Sequence, residues 1–117
     1  MMIAVFDSLT GEGRKFAESL GLPTQSVRDR LDDDCILITR NTGMGQIPLT
    51  TKIFVKNNKD RIKGFVNNGN SRMHSLTFCG ASSKLEKKYG LKLIRNIDQG
   101  GTAEDVEAVK QYISKLA

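Results

Sequence analysis

The stretch Asp7-Ser8-Leu9-Thr10-Gly11-Glu12-Gly13-Arg14 constrains the fold of this chain more than any other. An apolar run, Met2-Ile3-Ala4-Val5-Phe6, leads into it. The helical pattern Lys15-Phe16-Ala17-Glu18-Ser19-Leu20 leads out and stops at Gly21. A strand, a turn rich in hydroxyls and glycine, and a helix therefore follow one another. The first N–H groups of a helix lack internal partners, and with the helix dipole they make an anion site. Ser8 and Thr10 add hydroxyl donors, while Gly11 and Gly13 let the backbone come close to a phosphate. The pattern is neither G-x-G-x-x-G nor G-x-x-x-x-G-K-[ST], and it lacks the lysine that holds a triphosphate, so a monophosphate suits it better. Ser, Thr and Gly are also ordinary helix-start residues, so the stretch alone equally permits a plain capped helix.

The alternation continues along the chain. Gly21 and Pro23 end a helix over 13–20, and a weak strand over 25–28 precedes the acidic turn Asp32-Asp33-Asp34. Residues 35–39 form a continuous apolar run, the pattern of a strand covered on both faces. A loop over 40–47 follows. Pro48 suits a helix start, and a helix over 49–57 is expected to turn Ile53 and Phe54 inward. Residues 57–60 turn the chain into a strand over 62–66, where Gly64 permits close packing. After a polar loop over 67–74, a helix over 75–89 places Phe78, Ala81 or Ser82, Leu85 and Tyr89 on one apolar face and stops at Gly90. A strand over 91–97 and a loop over 98–101 lead to the last helix. Thr102 caps it with Asp105 three residues on, close to a capping box, and Val106, Val109, Ile113 and Leu116 form its apolar stripe.

Apolar strands alternating with helices define an α/β chain with a parallel sheet covered on both faces. At 117 residues there is room for one domain, spanning 1–117. Right-handed crossovers leave few topologies, and five strands favour the flavodoxin-like doubly wound order 2-1-3-4-5 with helices on both faces. Ligands of such sheets sit beyond the carboxyl ends of the strands. The loops at that edge are 7–13, 40–47, 67–74 and 98–101, each rich in Gly, Asn, Ser or Thr, whereas the opposite turns 32–34 and 57–60 are charged. One polar loop is an ordinary turn, but four on one edge point to a binding site.

The formal net charge of +5 and pI of about 9.4 permit an acidic partner or nucleic acid. The basic residues are spread along the chain with no interleaved aromatics, the pattern of a solvated surface, so nucleic acid is not expected. Two cysteines, Cys35 and Cys79, form no C-x-x-C, and a single His cannot complete a Cys/His zinc site, so no metal site is expected. The thiols read as buried or half-buried in a reducing cytoplasm. Neither a membrane-spanning apolar run nor a signal-peptide pattern is found, so no membrane partner is expected.

Four stretches carry a resemblance to a known family. They are Phe6-Asp7-Ser8-Leu9-Thr10-Gly11 with Arg14 and Phe16; Gly43-Met44-Gly45-Gln46-Ile47-Pro48; Gly64 with Gly69-Asn70 and Phe78; and Asp98 with Gly101-Thr102 and Asp105-Val106. Together they resemble the NrdI family, the small flavodoxin-like accessory flavoproteins of class Ib ribonucleotide reductase. The resemblance implies a bound FMN and no catalytic side chain. It implies a flavin-reducing electron donor and a partner, the radical-bearing small subunit of the reductase. There, reduced flavin and dioxygen would deliver superoxide or a related oxidant, or electrons, for assembly of a dimanganese cofactor.

Carried onto this chain, the resemblance puts the FMN phosphate on Ser8, Thr10 and the amides of Leu9, Gly11, Glu12 and Gly13. The ring falls between two loops, with Asn41, Thr42, Gly43, Met44 and Gly45 on one side and Asn68, Gly69, Asn70, Met73 and His74 on the other. Phe78, Cys79 and Asp98 border it. Arg40 and Arg72, in those loops, are placed to meet acidic residues of the partner. Two positions depart from the family pattern: Gly13 stands where a flavodoxin phosphate loop commonly has Thr or Ser, and Ser71-Arg72-Met73-His74 has no aromatic hydrocarbon ring. A ring so thinly covered favours access of oxygen. A general electron-transfer flavodoxin and a flavin-free binding module of the same fold are the alternatives. The short basic chain argues against the first. The lack of a phospho-accepting Asp after the third strand, where Thr39-Arg40-Asn41 stands, argues against a receiver-like form of the second.

Overall fold

The computed structural model describes residues 2–42, 45–69 and 80–116. Its elements run β1 Ile3–Phe6, α1 Glu12–Ser19, β2 Thr24–Ser26, β3 Cys35–Arg40, α2 Leu49–Asn58, a 3-10 turn Lys59–Arg61, β4 Ile62–Gly69, α3 Gly80–Tyr89, β5 Leu93–Asp98 and α4 Ala103–Ser114. The strands form one sheet in the order β2-β1-β3-β4-β5, every pair parallel, as the apolar alternation predicts. Successive residues of a strand point to opposite faces, and the core divides accordingly. Val5, Leu37 and Phe65 pack with Phe54, Val55, Ala81 and Leu85 on the α2–α3 face. Ala4, Ile36, Ile38, Val66 and Ile97 pack with Phe16, Ala17 and Val109 on the α1–α4 face. The strand β3 is central, which is why its first five residues are all buried.

Close packing decides Gly64. A Cβ there would come within 2.8 Å of the Ile94 side chain and 3.1 Å of Tyr112, whose hydroxyl donates to the Lys63 carbonyl. Cys35 is a packing residue; burial, with the Asp34 charge beside it, pushes its thiol up to about 12, so it stays protonated and unreactive. No helix among the described residues is long and apolar enough to cross a membrane.

Several expectations shift. Ile53 is 54% exposed; Thr51, Phe54 and Val55, at positions i, i+3 and i+4, make the inward face of α2 instead. Leu116 lies beyond the end of α4 and is 40% exposed, leaving Val109 as the buried centre of that stripe. The fourth strand runs on to Gly69, so Asn67, Asn68 and Gly69 belong to the sheet and not to a loop. The second strand ends at Ser26, level with the end of β1 at Phe6, where the chain turns: the Asp29 amide donates to the Ser26 carbonyl at 3.0 Å and the Asp29 carboxylate accepts from the Ser26 amide. The helix α1 starts at Glu12 and β5 at Leu93. Residues 75–79 lie outside the described residues; within α3, both Ala81 and Ser82 are buried.

Candidate cofactor site

The turn after β1 is built with few internal bonds. Gly11, at φ +92°, is the N-cap of α1 and supplies no side-chain cap. Its amide donates to Ser8 Oγ at 3.0 Å, which leaves the Ser8 proton free to donate. The amides of Glu12, Gly13 and Arg14 have no acceptor among the described residues. Three unpaired donors at the positive end of a helix are what an anion needs. Thr10 and Leu9 are exposed; the Thr10 hydroxyl donates to Glu12 Oε1 at 3.2 Å, an exposed bond easily exchanged for another acceptor. Gly13 is buried, yet a Cβ there would meet Ile38 and Ser8 only at 3.6 Å, so close packing does not require glycine.

Beside this open turn lies a buried cluster that sequence reasoning missed. The Asp7 carboxylate, 6% exposed, accepts from the hydroxyls of Thr50 and of Thr51, the latter at 2.7 Å. Thr51 and Thr39 share a further bond at 2.6 Å. The carboxylate thus sits against the first turn of α2, where the helix dipole favours negative charge. Arg40 Nε comes within 3.5 Å of Asp7 Oδ1 and the side chain is 23% exposed. Arg40 is the last residue of β3 and turns inward to Asp7, so the outward docking contact expected of it is not its arrangement here. An Asp closing an apolar strand, with paired threonines after Pro48, was the available signal.

The other described residues of this edge are tied to one another. Thr42 and Gln46 exchange both backbone bonds, at 2.8 and 2.9 Å, closing a tight hairpin whose Gly45 has φ +78°. Asn41 Oδ1 accepts from the Ala81 amide at 3.0 Å and from Asn67 Nδ2 at 3.1 Å, so it holds the first turn of α3 to the sheet. Asn67 Nδ2 also donates to Ser82 Oγ at 2.9 Å, and Ser82 donates to Asn96. Asn68 Oδ1 accepts from the Gly100 amide at 2.9 Å, and the Gly69 carbonyl from the Gln99 amide at 2.9 Å. Asp98, paired in register with Gly69, ends β5. A Cβ on Gly100 would lie 3.3 Å from that of Glu12, so the last loop also abuts the first.

The expected site residues therefore fall into three groups. Ser8, Leu9, Thr10, Gly11, Glu12 and Gly13 form the open turn. Asn41, Thr42, Gly45, Asn68, Gly69 and Asp98 lie on the same sheet edge, with the Asn41 and Asn68 side chains spent on holding loops together. Gly43, Met44, Asn70, Met73, His74, Phe78 and Cys79, like Arg72, lie outside the described residues.

A doubly wound sheet of order 2-1-3-4-5 with its polar loops gathered at the carboxyl edge has the flavodoxin architecture. The chain superposes on a short-chain flavodoxin associated with a non-canonical PDU bacterial microcompartment with a TM-score of 0.72 at 15% identity, covering 99% of this chain and 96% of that one. The Fusobacterium nucleatum flavodoxin bound to flavin mononucleotide gives 0.67 at 16% identity, over 98% and 96%. Within that architecture, the family described as "NrdI Flavodoxin like" matches residues 4–111. Protein NrdI of Bacillus licheniformis is 31% identical, over 99% of this chain and 90% of its own length. Protein NrdI of Deinococcus radiodurans is 30% identical, over 100% and 86%. The chain belongs to the NrdI family.

Proposed function

We propose that this protein binds FMN at the carboxyl edge of its sheet. In the cytoplasm it would serve as the redox accessory protein that supplies oxidant or electrons for cofactor assembly in the radical-bearing small subunit of a class Ib ribonucleotide reductase. The observation that carries this reading is the β1–α1 turn: donor amides without acceptors among the described residues, at the β1/β3 switch point, in a chain of the NrdI family. The residues present fit the group. Ser8, Thr10 and the amides of Leu9, Glu12 and Gly13 would hold the phosphate, while the Gly11 amide keeps Ser8 in place. Hydrogen bonds to a charged group contribute about 1.5–3 kcal/mol each. Four of them would thus supply a large part of the roughly 8 kcal/mol of micromolar binding. The Thr42–Gln46 hairpin and the Gly69–Asp98 strand ends would border the ring.

When bound, the flavin supplies electron transfer to or from a partner and reduction of dioxygen. The chain's part is to hold the phosphate, fix the loops through Asn41, Asn67 and Asn68, and leave the edge open toward the partner. The FMN of the Fusobacterium nucleatum flavodoxin, which has the same fold, supports the choice of cofactor. The test is activation of the manganese-loaded radical subunit by reduced FMN-loaded protein and oxygen. Radical formation with the loaded protein and none with the apo-protein is the expected outcome. Equal activation by free reduced FMN contradicts the role.

A further inference from the structure

Lys84, Lys87 and Lys88 stand at i, i+3 and i+4 on α3 and so share one face of it. The fold brings Lys52 of α2 opposite them. The four lysines line a cleft of about 610 Å3 whose other walls include Gln46 and Ser83. Among the described residues, no carboxylate lines it and none of the four ammonium groups lies in an ion pair. Much of the chain's excess positive charge, dispersed in the sequence, is gathered in this one place. The wider cleft of about 690 Å3 on the outer side of α2 is different, since Arg28 and Arg30 alternate there with Asp29.

We propose that the α2–α3 cleft is the docking site for an acidic segment of a protein partner, placed to steer that partner onto the cofactor edge. The proposal rests on the functional reading above for its second half only. Three observations choose the occupant. The charge is of one sign and, among the described residues, not neutralised by an ion pair, so its complement is a run of carboxylates. The charges are exposed lysines on flexible stems, which attract at long range, and not the rigid guanidinium forks or convergent amides that grip a compact phosphate. Gln46 closes the Thr42–Gln46 hairpin, so the cleft is continuous with a loop of the candidate site. Lys84 makes the link physical: its Nζ donates to the Gly45 carbonyl at 3.0 Å from within the cleft. A carboxylate arriving there competes for that ammonium group and acts on the hairpin beside the cofactor.

The experiment compares full-length protein with Lys52→Glu/Lys87→Glu and, should that variant fold poorly, Lys52→Gln/Lys87→Gln. FMN quenching serves as the independent control. Association with the cognate radical subunit is followed at low and high salt. The expected result is that the charge reversal slows association about tenfold or more at low salt, removes most of its salt dependence and leaves FMN affinity unchanged. Equal association of wild type and variant overturns the cleft while leaving the partner reading intact. Should wild type not bind the subunit at all, a labelled peptide of alternating Asp and Glu decides. Binding lost in the variants supports an acidic partner of another kind, and no binding, or preference for a labelled oligo(dT) strand, overturns the proposal.

Discussion

Two halves of one sheet edge are built in opposite ways. Around Asn67 the strand ends and α3 are fastened together: the side chain is fully buried, its amide donates to Asn41 and Ser82, and Ser82 passes the connection on to Asn96. A few residues away in space, the turn from Ser8 to Arg14 is held within itself by a bond onto Ser8 and an exposed bond onto Glu12, and among the described residues the first amides of α1 have no acceptors. Buried polar groups are nearly always satisfied, so the fastened half is what a folded protein needs anyway. The open half does nothing for the fold that a side-chain cap would not do better. The contrast separates the residues that keep the edge in shape from those available to a ligand.

Substitutions in the two halves should therefore move different observables. Asn67→Ala removes two hydrogen bonds, one of them fully buried, and leaves a void at a fully buried position. It should cost about 2–4 kcal/mol of stability in urea unfolding, the largest effect in the set. A cost under 0.5 kcal/mol would mean that the bracket is ornamental. Thr10→Ala should leave apo-protein stability within about 0.5 kcal/mol, because its one bond is exposed, yet weaken FMN by about 1–3 kcal/mol. Gly13→Ala should stabilise the apo-protein by about 0.5–1 kcal/mol, since the site has room for a Cβ and Ala is the better helix former.

The smallest effect is at the far end of the last loop. Burial raises the Asp105 carboxyl, but hydrogen bonds from Arg95 and Thr102 outweigh it and hold it below its ordinary value. The folded state therefore binds this proton less readily than the unfolded chain, so its contribution is present above the ordinary carboxylate range. That contribution is lost as pH falls through the depressed value. The stability gap between wild type and Asp105→Asn should narrow as pH falls below the ordinary aspartate value of about 3.9, read by thermal unfolding across pH. A gap that persists unchanged in acid would show that the charge contributes nothing to the α4 cap.

The fold was readable from the sequence because its signals are local and repeated. The apolar run 35–39 could only be a central strand, and Thr102 with Asp105 does form the full capping box. The errors came where long-range contacts decide. Ile53 follows the apolar rule, but Thr51 takes the inward place because Asp7 and Thr39 need its hydroxyl, and no local pattern reports that bond. Asn67 and Asn68 look like turn residues, yet pairing with β3 and β5 keeps them in the sheet. At the site, the chemistry of the open turn was visible as residue types. The division of labour was not: Asn41 and Asn68 have the composition of ligand-binding residues and the geometry of fasteners. Lysines spaced along two helices converge only once the helices pack on the same face of the sheet.

The measurement that bears most directly on this account is a paired titration of apo-protein with FMN and with riboflavin, followed by flavin fluorescence. The two ligands differ only in the phosphate that the open turn is argued to hold. Micromolar or tighter binding of FMN, with riboflavin weaker by about tenfold or more, is the predicted result. Equal affinities, or no quenching of FMN at tens of micromolar protein, the limit set by about 6 kcal/mol, would contradict it.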